Sequence, residues 1–145
     1  MISRETIYSK LFTLVLGLKG THGIQTVSRK LKHFADVPPA QQPAIFQVQR
    51  FEDPVQTRLL PTKWKLNVDL YVYVNTAKNP NASPAVLLNP ILDAIEALFP
   101  PEEGNIQTLG GLCSHAWISG KIETTEGLLG DQEVAVVPIE ILAPV

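Results

Sequence analysis

The sequence predicts an α+β fold, with one domain over residues 1–145 in which a mostly antiparallel β-sheet carries two main helices. Several stretches alternate apolar and polar residues, as strands do, and two others repeat apolar residues at helical spacing. Clusters of proline and glycine separate these stretches. Strands mostly follow strands along the chain, which favours an antiparallel sheet. A chain of 145 residues, 45% of them hydrophobic, is long enough for one packed core.

The two predicted helices cover residues 3–19 and 84–99. Ser3 can cap the first helix, and Gly20 is expected to end it. The second helix begins with a serine followed by a first-turn proline, and two consecutive prolines end it. Pro90 lies inside this second helix, and we expect it either to bend the helix or to confine it to its second half.

Alternation of apolar and polar residues predicts the strands, and proline-rich or polar stretches predict the connections between them. The predicted strands are 44–51, 63–74, 115–122 and 133–142, and the ambiguous segment 23–34 is assigned to strand rather than helix. The predicted loops are 36–43, 52–61 and 125–131, of which 52–61 is long enough to be a flap or arm.

Two of the predicted strands carry further expectations. In 44–51, Ala44, Phe46 and Val48 alternate with glutamines, so we expect these three side chains to face the core. In 133–142, Pro138 lacks the N–H group that a sheet needs, so we expect an edge or a bulge at this position.

A second set of apolar side chains lies opposite the predicted core face of the sheet. The members of this set are Tyr71, Tyr73, Trp117, Val134 and Val136. A sheet face exposed to water usually shows cleaner polar alternation. We therefore expect the helices to cover this second face, or a neighbouring subunit to do so, because tyrosine and tryptophan are common at interfaces.

The stretch "TLGGLCSHAWISGKIE", residues 108–123, looks most like a catalytic or phosphate-binding loop. Its Gly120-Lys121 pair is followed by isoleucine rather than serine or threonine, so it does not match a Walker loop, and no G-x-G-x-x-G occurs in the chain. Cys113 and His115 are expected on one strand face with their side chains parallel, which is poor geometry for a nucleophile and its base. Two potential ligands do not make a metal site. We therefore expect no enzyme activity, no metal site and no cofactor.

Charge is distributed unevenly along the chain. The net charge of -2 gives no overall basic field for nucleic acid. Before residue 92, however, the chain has eleven Lys and Arg and five Asp and Glu, a net charge of about +6. The remainder of the chain has a net charge of about -8. Folding either interleaves the two parts or leaves an acidic surface that meets a basic one on an identical neighbour. The predicted pairing sets Arg29, Lys30 and Lys32 against Glu123, Glu126 and Glu133 of the next subunit.

The order of the elements and several motifs resemble the tail terminator proteins of long-tailed bacteriophages, of the minor tail protein U type. The motifs are "DVPPAQQPAIFQVQ", "LNVDLYVYV", "LGG", "ISGKIE" and "AVVPIEIL", and the likeness runs from about residue 27. The resemblance implies a small α+β subunit that assembles into a six-fold ring at the tail–neck junction of the virion. Such a ring stops growth of the tail tube and presents a docking face to the head connector. It implies no catalysis and no cofactor.

The resemblance also implies the partners: further copies of the chain, the tail tube protein and the head–tail connector or neck protein. DNA passes through the lumen without specific binding, and assembly takes place in the cytoplasm of the bacterial host without a membrane. Three alternatives stay open at the level of sequence. They are another virion ring or tube subunit, a small Cys/His hydrolase and a nucleic-acid-binding module.

Overall fold

Two helices and six strands follow one another along residues 2–145, which are the residues that the computed structural model describes. The helices are α1 (Arg4–Leu16) and α2 (Pro84–Glu96), and the strands are β1 (Thr26–Ser28), β2 (Ala44–Val55), β3 (Lys63–Asn75), β4 (His115–Ile118), β5 (Glu123–Thr124) and β6 (Gln132–Ala143). The strands form one sheet in the order β1-β2-β3-β6-β4, and β5 also pairs with β6. Only the β1–β2 pair is parallel. The predicted α+β class is confirmed.

Both helices begin where the sequence predicts, and both end earlier. The Ser3 hydroxyl caps α1 by accepting a hydrogen bond from the Thr6 N–H at 3.1 Å. The α-helix ends at Leu16, and tighter turns continue the chain to Gly20, where φ is +87°. Helix α2 runs from Pro84 to Glu96, so Pro90 does not confine it to its second half.

The main core lies between the two helices and one face of the sheet, which is called the helix face below. Helix α1 contributes Ile7, Leu11 and Val15, and α2 contributes Leu88, Ile91 and Ile95, each at helical spacing. The sheet contributes every second residue of β3 and β6, namely Leu66, Val68, Leu70, Val72, Val74, Ala135, Val137, Ile139 and Ile141. The alternation of apolar and polar residues in 63–74 and 133–142 predicts that these same side chains face the core, and this prediction is confirmed.

The predicted burial of Ala44 and Phe46 is confirmed, but these side chains lie on the face of the sheet opposite the helices, and β2 is buried on its other face as well. Ile45 pairs with Val72 on the helix face, whereas Phe46 pairs with Tyr71 and therefore points to the opposite face. Gln47 faces the helices, is almost fully buried, and donates a hydrogen bond from Nε2 to the main-chain oxygen of Tyr8 at 3.0 Å. Alternation shows that a strand has two faces, but here both faces are buried, so polarity does not tell which one meets the core.

The second face of the sheet is covered at one end by the segment 29–43, and not by the helices as expected. This segment contains two short 3₁₀ turns, Phe34–Asp36 and Pro39–Gln41. Its apolar side chains form a small second core with the sheet residues behind them: Phe34, Val37, Ala44, Phe46, Tyr71, Tyr73 and Val134. The strand predicted over 23–34 is accordingly short, because only Thr26–Ser28 pairs with β2.

A reciprocal pair of buried amides joins this covering segment to the sheet. Gln132 Nε2 donates to Gln42 Oε1 at 2.8 Å, and Gln42 Nε2 donates to Gln132 Oε1 at 3.0 Å. The two amides also donate to the main-chain oxygens of Val74 and Val37. The helices cover one face of the sheet, and this amide pair holds the segment 29–43 against the other face at this end.

The strand predicted over 115–122 is interrupted. Strand β4 ends at Ile118, which pairs with Ile139, and β5 resumes with Glu123, which pairs with Val136. The interruption lies opposite Pro138, whose carbonyl accepts the Ser119 N–H at 2.9 Å but which has no N–H of its own to offer. The irregularity expected at Pro138 is thus present in its neighbours, while β6 itself lies in the interior of the sheet.

The connection predicted over 52–61 is in part a strand. Strand β2 continues to Val55, which pairs with Lys63, and its register with β3 shifts between Gln49 and Glu52. Strand β6 accompanies β3 as far as Trp64. The hairpin therefore projects beyond the sheet only through its tip, residues 56–62.

Candidate assembly surfaces

The stretch around Cys113 forms a packed loop and not a nucleophile–base pair. Cys113 precedes β4 and packs in the main core, where burial raises the pKa of its thiol to about 11. His115 pairs with Leu142 on the second face, where its ring stacks on Trp117 with centroids 4.5 Å apart. His115 Nδ1 accepts the Gln107 N–H at 3.1 Å. The placement of Cys113 and His115 on one strand face is therefore wrong, because Cys113 lies outside the regular strand.

Residues 2–145 contain neither a candidate metal site nor a helix that could cross a membrane. In this part of the chain, no three His, Cys, Asp or Glu side chains lie together in a way that could hold a metal ion. Neither of the two helices there has the length and apolar character that a membrane crossing requires.

Three of the residues predicted at a subunit interface are engaged inside the subunit. Arg29 contacts both carboxylate oxygens of Glu5 and donates to Gln49 Oε1 at 3.0 Å, and these Arg29 hydrogen bonds hold the pKa of Glu5 below its usual value. Tyr73 is buried beneath the segment 29–43, and its hydroxyl donates to the Lys32 carbonyl at 2.6 Å. Glu133 is only 1% exposed, and its Oε2 has no hydrogen-bond partner.

The burial of Glu133 has an electrostatic consequence. Loss of hydration raises the pKa of its carboxyl group above the usual value, and the neighbouring charge of Glu126 raises it further. In this conformation the carboxylate faces the interior and not a neighbouring subunit.

The other six predicted interface residues lie at the surface or half-buried. They are Lys30, Lys32, Tyr71, Trp117, Glu123 and Glu126. The structure does not bring the lysines and these glutamates together within one subunit. Glu123 forms an ion pair with Lys121 at 3.3 Å, and Glu126 accepts the Ser83 hydroxyl at 3.1 Å. Their pairing across a subunit boundary stays a prediction.

Part of the second face lies beyond the covering segment and is half-exposed. Two ion pairs cross it: Arg50 with Asp69 at 3.2 Å and Lys65 with Glu140 at 3.8 Å. Burial raises the pKa of Asp69, although the nearby Arg50 charge opposes this effect. Tyr71 and Trp117 extend the same face with aromatic surface.

The hairpin tip lies mostly in the predicted loop 52–61, which the resemblance to tail terminators makes a candidate for ring and tube contacts, although no single residue of it was predicted at an interface. Leu59 is 95% exposed, and its neighbour Leu60 is exposed as well. The Leu60 N–H bonds to the Thr57 carbonyl at 3.0 Å, which closes a turn, and Leu59 within that turn has φ +69°. A leucine in the left-handed region is uncommon. The available signal was two consecutive leucines, preceded by Arg58 and followed by Pro61, inside a polar connection.

A groove of about 430 Å³ lies at the other edge of the sheet, along β4 and the interruption that follows it. Its lining residues are Glu96, Phe99, Trp117, Ile118 and Ile122. Sequence reasoning placed Trp117 at an interface, and the alternation in the predicted strand 115–122 sets Ile122 on the inward face with Ala116. The structure instead leaves Ile122 exposed, because it lies in the interruption between β4 and β5. Glu96 supplies the acidic side chain of this groove.

The chain matches no protein-family model and no curated protein sequence. Two solved structures have the same fold. One has a TM-score of 0.52 and 14% identity, over 97% of this chain and 96% of the other. The second is a chain in the structure titled "Virion of native gene transfer agent (GTA) particle", with a TM-score of 0.50 and 11% identity, over 94% of this chain and 90% of the other. At these identities the likeness shows the fold, and it extends over nearly the whole chain.

Proposed function

We propose that this chain is a structural protein of a phage-like virion that assembles as a ring and ends the tail tube. The other side of the ring offers a docking face to the head or neck connector. The chain would assemble in the cytoplasm of the bacterial host and then remain at the tail–neck junction. In this proposal it acts without a cofactor, and DNA passes through the lumen without specific binding.

The observation that carries the proposal is the likeness to a chain of the gene transfer agent virion over 94% of this chain. It agrees with the resemblance of the sequence motifs to tail terminators, which is an independent line of argument. The buried thiol of Cys113, whose pKa is raised to about 11, gives a hydrolase little support, because the thiolate is the nucleophilic form.

The short projection of the β2–β3 hairpin favours a terminator over a tube subunit. A tube subunit needs long hairpin arms to build a continuous barrel with its neighbours. Here β6 pairs with β3 as far as Trp64, so only residues 56–62 extend past the sheet. A short tip suits contacts within one ring.

Two experiments test the proposal. Light scattering and electron microscopy of the purified chain should reveal a closed ring of about six subunits, in solution or on isolated tail tubes. In the virus that encodes the chain, deletion of its gene should give tail tubes of uncontrolled length. Tubes of normal length after the deletion would refute a role in ending tube growth.

A further inference from the structure

The hairpin tip and the groove beside β4 have complementary chemistry and lie on different parts of the subunit. The tip presents Leu59 and Leu60 to solvent, next to the positive charge of Arg58. The groove presents aromatic and aliphatic side chains next to the negative charge of Glu96. Both surfaces are therefore apolar, and the charges next to them are opposite in sign.

The tip also combines two features that are unfavourable for an isolated subunit. Leu59 exposes 95% of its surface to water and adopts φ +69° in the turn. A left-handed backbone is unfavourable for a leucine, whereas asparagine or glycine adopts it more readily. Apolar exposure combined with backbone strain points to a function for this residue, and contact with a partner would bury it.

We propose that the hairpin tip of one copy of this chain inserts Leu59 and Leu60 into the groove beside β4 of the next copy, with Arg58 set against Glu96. This inference rests on the proposed ring and names the contact that would build it. The groove volume of about 430 Å³ lies within the range of about 300–1,000 Å³ typical of ligand pockets, which is adequate for leucine side chains.

The two surfaces satisfy a geometric requirement of ring assembly. A head-to-tail ring uses two different patches on each subunit. The two patches must not overlap, because in the closed ring each one contacts a different neighbour. The tip lies between β2 and β3, whereas the groove lies at the β4 edge with β6 in between. The residues of the tip and those of the groove do not overlap. The tip also belongs to the basic part of the sequence and Glu96 to the acidic part, which extends the charge asymmetry to a specific pair.

A charge exchange tests the contact. Arg58→Glu and Glu96→Lys should each weaken ring assembly by about tenfold in light scattering, because each places like charges together. The double variant Arg58→Glu/Glu96→Lys should recover most of the loss, which a misfolded protein cannot do. Lys78→Glu is the matched control, since it is also a charge reversal at an exposed residue, and Lys78 belongs neither to the tip nor to the groove lining.

Cross-linking separates this contact from the ring itself. A variant carrying both Leu59→Cys and Ile122→Cys, treated with a short bis-maleimide, should give a ladder of multimers that ends at the closed ring. Each single cysteine variant should give dimers at most, because Cys113 is buried. If the chain has the mass of a ring but the double variant stops at dimers, the tip-to-groove contact is wrong and the ring stands. If no ladder forms and the chain is monomeric with and without tail tubes, both proposals fail.

Discussion

Leu59 combines an exposed apolar side chain with a left-handed backbone, and this backbone leads to a prediction about stability. Replacing Leu59 with asparagine should raise the free energy of unfolding of the isolated subunit by about 1 kcal/mol, because asparagine tolerates the left-handed region. The side chain is 95% exposed, so the change removes little packing. Urea denaturation measures the effect.

Leu128→Asn is the control, since Leu128 is 78% exposed and lies in another turn. Its effect on the free energy of unfolding should stay within about 0.5 kcal/mol. A loss of stability in Leu59→Asn would mean that Leu59 makes contacts within the subunit, which contradicts the role assigned to the strained tip.

Glu133 is a second residue whose environment opposes its charge. Burial raises its folded-state pKa above the ordinary value of 4.5, so the folded state binds this proton more tightly than the unfolded chain does. Stability should therefore fall as the pH rises above about 4.5 and through the folded-state pKa. Glu133→Gln should raise the free energy of unfolding at pH 7 by about 1–3 kcal/mol and weaken its dependence on pH.

Urea midpoints of the parent and of Glu133→Gln at pH 5 and pH 8 measure this difference. Glu123→Gln serves as the control, because Glu123 is exposed and its ion pair with Lys121 contributes little. If the two variants responded equally to pH, the buried carboxylate would not be the source of the effect.

At the scale of elements, the segment 29–43 depends on the amide pair between Gln42 and Gln132. Both amides are buried, so Gln132→Ala leaves the Gln42 amide without a partner for its side-chain oxygen. We expect a loss of about 1–3 kcal/mol in the free energy of unfolding, together with faster amide hydrogen exchange in residues 36–43.

The variant Gln42→Leu/Gln132→Leu should lose less stability than the sum of the losses in Gln42→Leu and in Gln132→Leu, because it leaves neither amide unpaired. Gln41→Ala is the control, since its side chain is exposed and its contact with Thr26 uses the main-chain oxygen. Additive losses in the double variant would show that the pair is not coupled.

The same element shows how far the sequence could predict this fold. The core faces of β3 and β6 and the cap at Ser3 followed from local patterns, because periodicity and capping depend on neighbouring residues. The face of Phe46 did not follow, since it depends on a proline-rich segment that packs over the second face. The continuation of β2 through Pro54 was also missed, because its partner in β3 allows a register shift that local sequence does not reveal.

The candidate surfaces were predictable only in part, for a similar reason. Charge composition identified the basic and acidic parts of the chain, but not that Arg29 is held by Glu5 or that Glu133 is buried. Those facts depend on contacts between residues distant in sequence. The groove beside β4 exists because the strand is interrupted after Ile118. The sequence predicted an irregularity at Pro138 itself, and not in the neighbouring strand.

At the scale of the whole molecule, the remaining charge asymmetry predicts that assembly depends on salt. Lys30 and Lys32 are exposed, and neither appears in an ion pair within residues 2–145. If they meet the acidic surface of the next subunit, the variant Lys30→Glu/Lys32→Glu should shift ring assembly to about tenfold higher protein concentration. High salt should weaken the parent ring, because ions screen exposed charges. The protein concentrations at which the parent and the variant assemble should therefore differ less at high salt.

The variant Lys19→Glu/Lys78→Glu has the same net charge and is the matched control, since both of its lysines are also exposed. Light scattering over a range of protein concentrations, at low and high salt, compares the three proteins. Equal weakening in both variants would assign the effect to net charge alone, and no weakening in either would remove the two lysines from the interface. Weakening confined to Lys30→Glu/Lys32→Glu would place the segment 29–43 at the subunit boundary, so the loop that covers the second face would also join neighbouring subunits.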